Sequence, residues 1–489
     1  MDAMHSTQPR TTAPAADPHE APAAAPGPRR PLLIWLREFA GFPIPPDHEA
    51  PRRALPRSRF IPLSRQAVAV DLCHDIPGKK DGQTFAMMAL KLERHRNHDY
   101  RQLAAELRRV YLPFSPDTDT VKVCQFTAEE AAAMQARLAE MTAHLLTRAN
   151  YSPLSTAEIN AILNEQSSYS LRIEVDLDEY DILQVYGRDV YSTHHTVRRP
   201  ETAYLMSYSY DVPVYRRLFV LLKLKSSADR AAEIAAAENV PLKTAEKRVA
   251  KRRKGLPTGT STENIYIKVF KDMPEHDLQI LFPLRRVQFR PFDKLKFYAT
   301  AGGGTLFGLF STTGKVVAAT NPFAAVGALV AFGGLVARQV TGFFNQRNRY
   351  MMELSQKLFF HNLANNRAAI TLLVDRAEEE DMKEDLITLY HLAGETVEEA
   401  DLARRKAEID ALLAERYKVE VDFEIDDALR RLTADGAVTQ SGTSYIFPTF
   451  AAAAQHYDRL IKLHDAEDVR HIQEDEAPGA CEAVEAVEA

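Results

Sequence analysis

The longest apolar segment of the chain runs over residues 297–337, and shorter segments of periodic hydrophobicity lie on either side of it. Lys315 is the only charged side chain in this segment, in a chain that is 26% charged overall. Because roughly 20 apolar residues span the hydrocarbon core of a bilayer, the segment is too long for one transmembrane helix. It predicts a two-helix transmembrane hairpin over residues 297–344, with a turn within residues 311–322 and Lys315 in the loop. The alternative is a buried helical hairpin in a soluble domain.

Small residues favour close packing of the two predicted helices. Eight of the chain's 20 glycines lie in the apolar segment, and Gly304 and Gly308 have the GxxxG spacing that membrane helices use for tight contact. Basic residues flank the segment on both sides, whereas the turn holds only Lys315. Since short loops on the cytoplasmic side carry an excess of Lys and Arg, we expect both flanking parts of the chain to face the cytoplasm.

The chain before the hairpin predicts a tail followed by a helical region. Residues 1–30 are rich in Pro and Ala, cannot bury a core and are predicted to be disordered. From residue 60 to about residue 147, apolar residues recur at helical spacing. Within this region Thr127 followed by Glu130 is a capping-box signature, which predicts that a helix begins there.

Polar and apolar residues then alternate, as in strands, over residues 171–177, 215–225 and 264–271. These segments predict a small mixed sheet, which together with the helices makes residues 31–296 an α+β soluble domain. A basic insert, residues 226–262, separates the last two predicted strands. The basic residues of this insert could contact anionic lipid. The alternative is that the insert is a helical loop exposed to solvent. The candidate lipid contacts are Lys247, Arg248, Lys251, Arg252 and Arg253.

Beyond the hairpin, residues 345–463 predict a helical domain that resembles a winged helix, since three helices precede a small β-hairpin. The last of these helices spans residues 426–435 and is followed by Gly436, and Ser441-Gly442 marks the hairpin turn. Residues 464–489 are acidic and predict a disordered tail. The predicted fold class is therefore an α+β membrane protein, mostly helical.

Charge and histidine spacing argue against catalysis and nucleic-acid binding. The 489-residue chain has a net charge of −6, which predicts no general affinity for nucleic acid. His95 with His98, and His194 with His195, have no third ligand at a recognisable metal-site spacing. The acidic run at residues 378–381 is interpreted as the solvated face of a helix. We expect no enzyme activity, no cofactor and no metal site.

Several stretches of the chain resemble the transmembrane protein 143-like proteins, whose shared region is a domain of unknown function. The resemblance covers roughly residues 60–450. It implies an integral membrane protein, and it implies no catalytic residue, because that family has no established activity. The matching stretches are residues 60–63, 149–155, 266–274, 290–296, 365–367, 374–380 and 421–429.

Together these patterns favour a membrane-anchored, non-enzymatic scaffold or adaptor with an unidentified protein partner. The expected location is the bacterial inner membrane, with a mitochondrial membrane as the alternative. A different hypothesis is a channel or transporter component, in which several hairpins form a homo-oligomer around a path near Lys315. The polar positions that we select as a candidate site are Asn365, Asn366, Arg367 and Asp375.

Overall fold

A computed structural model gives the fold of most of the chain outside the apolar segment. It describes residues 57–117, 126–164, 171–198, 207–257, 259–289, 341, 352, 356 and 358–475. The predicted disordered tail at residues 1–30 lies outside the described residues. Helices and antiparallel strands are both present, so the described part is an α+β structure.

The helices vary in length from about two turns to nine. The two longest of the described helices are α2, with 33 residues, and α7, with 27 residues. The helices are α1 (Arg65–Asp75), α2 (Lys79–Tyr111), α3 (Ala128–Arg148), α4 (Thr156–Asn164), α5 (Ser227–Glu238), α6 (Leu242–Arg253), α7 (Asn366–Leu392), α8 (Leu402–Tyr417), α9 (Ile425–Ala434) and α10 (Phe450–Asp475).

The strands form three separate sheets. They are β1 (Ser152–Pro153), β2 (Leu171–Val175), β3 (Tyr180–Arg198), β4 (Ser207–Leu224), β5 (Ile265–Pro274), β6 (Arg285–Phe289), β7 (Asn362–Asn365), β8 (Thr396–Glu398), β9 (Thr439–Ser441) and β10 (Ser444–Ile446). The largest sheet has the order β1-β3-β4-β5-β7, the second β8-β10-β9, and the third pairs β2 with β6. Each of these ladders is antiparallel, so the predicted mixed sheet is wrong.

The five-stranded sheet is covered on both faces. In β4, Leu218 and Val220 pack on one face, whereas Phe219 and Leu221 pack on the other, as the two-residue period of a strand requires. Helix α4 supplies Ile159 to the first face. The second face packs against α3, the C-terminal half of α2 and the N-terminal half of α7.

A second hydrophobic core contains described residues from before and from after the apolar segment. It contains residues of α1 and of the N-terminal half of α2, together with residues of α8, α9 and α10. The C-terminal half of α7 also belongs to it, through residues such as Leu386 and Leu389. Helices α2 and α7 therefore pass from one core into the other, and residues before and after the apolar segment share a single core.

Local signals in the sequence give several helix ends correctly. Thr127 and Glu130 form the predicted capping box, with the Thr127 backbone N–H donating to Glu130 Oε2 at 2.8 Å. Helix α9 lies within one residue of its predicted bounds and is followed by Gly436 at φ 76°. The hairpin of β9 and β10 turns at Gly442, which has φ 63°. These three predictions are confirmed.

Among the residues that the structure describes, no helix is both long and apolar enough to cross a membrane. Helices α2 and α7 have the length, but charged side chains recur along both of them. This finding contradicts the predicted membrane-protein fold class and the predicted multi-pass localisation in a bacterial or mitochondrial membrane. The hairpin proposed for residues 297–344, including Gly304, Gly308 and Lys315, lies outside the described residues except for Thr341.

One further prediction needs correction. The chain is helical to Asp475, so disorder from His464 onward is wrong for residues 464–475. The reason is tertiary contact, since the His464 ring stacks on His98 with centroids 4.0 Å apart. The basic insert is a pair of helices, α5 and α6, that bury Ala231 and Val249 against each other.

Gly187 in β3 provides a test of the sheet packing. A Cβ atom at this position would lie 2.6 Å from Cδ1 of the buried Tyr215 ring. We expect Gly187→Ala to lower the free energy of unfolding by about 1–3 kcal/mol, because the ring has to move within a packed core. Urea denaturation measures the change. The control is Gly255→Ala, where a Cβ meets no atom within 4 Å; equal effects of the two substitutions would contradict the packing described.

Candidate functional site

The middle of α7 carries a run of charged side chains that is buried between the two cores. Glu380, Asp381, Lys383, Glu384 and Asp385 are all buried. Glu378 is buried as well, so the interpretation of residues 378–381 as a solvated helix face is wrong for Glu378, Glu380 and Asp381. Charged residues are almost never fully buried unless they are paired, so each of these side chains requires a partner.

Lys383 and Glu380 satisfy each other. Lys383 Nζ donates to Glu380 Oε1 at 2.6 Å and also to the backbone carbonyls of Ile61 and Leu63, at 2.6 and 3.1 Å. Glu380 Oε2 in turn accepts from the Ile61 backbone N–H at 3.2 Å. These bonds hold the segment that precedes α1 against α7.

Arg431 of α9 lies among three carboxylates of α7. Its guanidinium is 3.1 Å from Asp381, 2.8 Å from Glu384 and 3.0 Å from Asp385. These contacts raise the pKa of Arg431 above its ordinary value although burial alone would lower it. The residue therefore stays charged, and its fork of donors fixes the position of α9 on α7.

Two more arginines pair with the buried carboxylates of α7. Arg96 of α2 donates from Nε to Asp385 at 2.8 Å and from Nη2 to Asp435 at 2.6 Å. Arg148, the last residue of α3, donates from Nε to Asp381 at 2.8 Å. The Tyr100 hydroxyl also donates to Asp381, at 2.7 Å. Helices α2, α3 and α9 thus all bind the same short segment of α7.

We call this set of side chains the buried charge cluster. It consists of the carboxylates Glu380, Asp381, Glu384, Asp385 and Asp435 and the cations Arg96, Arg148, Lys383 and Arg431. The set holds five carboxylates and four cations, and the buried Arg188 adds a further positive charge near Glu380.

Burial is the main cause that raises the pKa of Glu384, to about 8; the negative charge of Asp381 contributes to the rise, and the Arg431 guanidinium opposes it. The Asn150 side-chain amide donates to Glu384 Oε1 at 3.1 Å. Every member of the cluster is therefore bound to other groups of the protein, an arrangement that favours fixing helices in place over binding a substrate.

The polar positions selected from the sequence do not form one site. Lys268 Nζ donates to Asn365 Oδ1 at 3.2 Å, and the Ile267 backbone N–H donates to Asn366 Oδ1 at 3.3 Å. Both asparagines therefore join the edge of β5 to the start of α7. Arg367 and Asp375 are exposed, and eight residues of helix separate them by roughly 12 Å.

The residues selected as lipid contacts divide into two groups. Lys247 and Lys251 are exposed on α6, and Arg248 pairs with Glu238. The other two residues turn toward the body of the protein. Arg252 is 2.6 Å from Asp176 and 2.9 Å from Glu179, and Arg253 is 3.3 Å from Glu179. Intramolecular carboxylates therefore occupy these two arginines.

Sequence patterns gave no indication of the buried charge cluster, because its arginines come from distant parts of the chain. Arg96 and Asp435 are 339 positions apart. One local signal was available. Charged residues fall on all sides of α7 between residues 378 and 385, which leaves no apolar face to pack in a hydrophobic core. Such a segment is buried only where other elements supply opposite charges.

The comparison with known families identifies a domain at residues 215–368 that matches the family described as protein of unknown function (DUF3754). The match begins within β4 and ends at the start of α7, so the buried charge cluster lies outside it. It does not single out the transmembrane protein 143-like proteins. No solved structure matches the chain, and the winged-helix likeness of the C-terminal part stays a prediction.

Replacing Arg431 tests the cluster directly. We expect Arg431→Ala to lower the free energy of unfolding by about 3–5 kcal/mol, because three buried carboxylates would lose their shared cation. The control is its neighbour Arg430, which is 71% exposed against 12% for Arg431 and pairs only with Asp427. Arg430→Ala is expected to change stability by less than about 1 kcal/mol. Comparable losses in urea denaturation would contradict the assignment.

Glu384 predicts a pH dependence of stability. Its pKa is raised from 4.5 to about 8 in the native state, so between these values the native protein binds more protons than the unfolded chain. The free energy of unfolding from this group therefore falls as pH rises. We expect Glu384→Gln to remove this decline, measured by urea denaturation between about pH 5 and pH 8. An unchanged pH profile in the variant would contradict the prediction.

Proposed function

We propose that the chain is a non-enzymatic scaffold or adaptor that binds a helix of a partner protein in a groove between α1 and α2. The observation that carries this proposal is the exposure of two large apolar side chains that line this groove. Val70 and Leu90 are each 58% exposed. A contiguous apolar patch bordered by polar residues is typical of an interaction surface.

Contacts between the two helices define the groove. Arg65 at the start of α1 lies 3.2 Å from Glu93 of α2, whereas Cys73 near the end of α1 donates to the Gly82 carbonyl at 3.2 Å. The helices are therefore antiparallel. The space between them has a volume of about 330 Å³ and extends down to Met382 of α7.

The shape and chemistry of this groove favour an amphipathic helix. Ala69, Ala86 and Ala89 line it, and such small side chains allow the backbone of a docked helix to approach closely. Polar groups stand at the two ends, with the Arg65–Glu93 pair at one and His74 at the other. The 11 residues of α1 span roughly 16 Å, enough for three turns of a partner helix with apolar residues at i, i+3 or i+4, and i+7.

We also propose that the chain is related to the transmembrane protein 143-like proteins, which is a narrower assignment than the domain of unknown function. It is supported by stretches on both sides of the domain of unknown function, such as residues 149–155 and 421–429. That resemblance assigns no activity, which agrees with a binding role.

Leu90→Glu tests the groove. We expect helical peptides selected from a displayed library on the full-length protein to carry the apolar spacing given above. Their affinity should fall more than about 10-fold for Leu90→Glu, because a carboxylate in the apolar groove loses its hydration on binding. The control is Leu242→Glu on α6, where Leu242 is 51% exposed; its affinity should equal that of the wild type.

Two results would contradict this function. One is a selection that yields no peptide sensitive to Leu90→Glu. The other is dimerisation of the purified chain that Leu90→Glu abolishes, since a second copy of the chain would then be the occupant of the groove. Circular dichroism of both variants verifies that each is folded.

A further inference from the structure

Three histidines and an aspartate meet where α2 packs against α10. His95, His98 and Asp99 lie on successive turns of α2, and His464 lies on α10. The His464 ring is 5.0 Å from the His95 ring and 4.0 Å from the His98 ring, measured between centroids. Asp99 Oδ2 lies 3.6 Å from His95 Nε2.

His95 is buried, and its ring makes no short hydrogen bond. The residue is only 5% exposed. In the described part of the chain Nδ1 has no hydrogen-bond partner, and Nε2 faces Asp435 Oδ1 and Asp99 Oδ2 at 3.5 and 3.6 Å. Nδ1 of His464 is also buried and has no hydrogen-bond partner among the described residues. Buried polar atoms without a partner are rare in folded proteins and call for an explanation, such as an ion that they bind.

We propose that His95, Asp99 and His464 form a binding site for a divalent transition-metal ion of the zinc type. One ligand atom from each residue lies within 4.8 Å of the other two. Ligands at about 2.0–2.1 Å in a tetrahedral site are roughly 3.3 Å apart, so the His95–Asp99 pair at 3.6 Å is already close to this separation. The His464 ligand atom lies within 4.8 Å of the other two and has to approach them further when the ion binds.

The surroundings favour a bound cation. Asp435 Oδ1 lies 3.5 Å from His95 Nε2 and adds negative charge beside the site.

The bound ion would fasten the C-terminal half of α10 to α2. His464 is the only ligand from α10 among the three, so the ion crosses between the two helices. The site lies beyond the end of the groove between α1 and α2, and it does not depend on the proposed scaffold function.

Zinc binding to the full-length protein tests this site. After treatment with a chelator, isothermal titration with Zn²⁺ should give one site per chain, and Co²⁺ should give the visible absorption bands of tetrahedral coordination. We expect His464→Gln and Asp99→Asn each to weaken Zn²⁺ binding by more than about 10-fold. The control is His74→Gln, an exposed histidine on α1, which should bind as the wild type does.

A structural readout accompanies the titration. Zn²⁺ should raise the melting temperature of the wild type and slow amide hydrogen exchange near His464, and His464→Gln should lose both effects. This variant is preferred to a change at His95, because the buried His95 ring packs on Tyr457 and its loss would disturb the core. No Zn²⁺ or Co²⁺ binding by the wild type, or equal binding by wild type and His464→Gln, would overturn the proposal.

Discussion

The structure depends on the neutralisation of buried carboxylates in α7 by arginines from three other helices. Helix α7 belongs to both hydrophobic cores, and its charged segment lies where they meet. Removing carboxylates from water without partners would cost several kcal/mol per ion. Arg96, Arg148 and Arg431 supply the partners, so both cores can close on α7 only when α2, α3 and α9 are in place together.

This dependence makes the cluster a device for specificity more than for net stability. A buried ion pair recovers through its contacts about what it loses in hydration, whereas a broken pair is strongly destabilising. Arg431 reaches three carboxylates at once, and a shift of α9 by one turn along α7 would separate it from them. The alternative packings of these helices are therefore penalised, even though the native pairing itself adds little to stability.

Features set by neighbouring residues could be predicted from the sequence, and those set by distant contacts could not. The capping box at Thr127 and the glycine after α9 depend on a few adjacent residues, and both were predicted. Strand β3 was missed because Gly187 and Asp189 have low strand propensity, and it is extended through pairing with β4 along almost its whole length. The acids of α7 resembled a solvated face because their partners are far away in the chain.

His464 shows the same limit at the C-terminal end. Its flanking residues are acidic and suggest a solvated tail, and only the packing of α10 against α2 places its ring beside His95 and His98. The histidine spacing on α2 singles out His95 and His98, whereas the proposed site combines His95 with Asp99 and with His464 of α10.

The 339 positions between Arg96 and Asp435 have a consequence for biosynthesis. A ribosome releases α2 long before α7 and α9 are translated, so Arg96 lacks its partners Asp385 and Asp435 during most of elongation. Because closure of such distant contacts is slow, the pairing of α2 with α7 and α9 has to be a late step of folding.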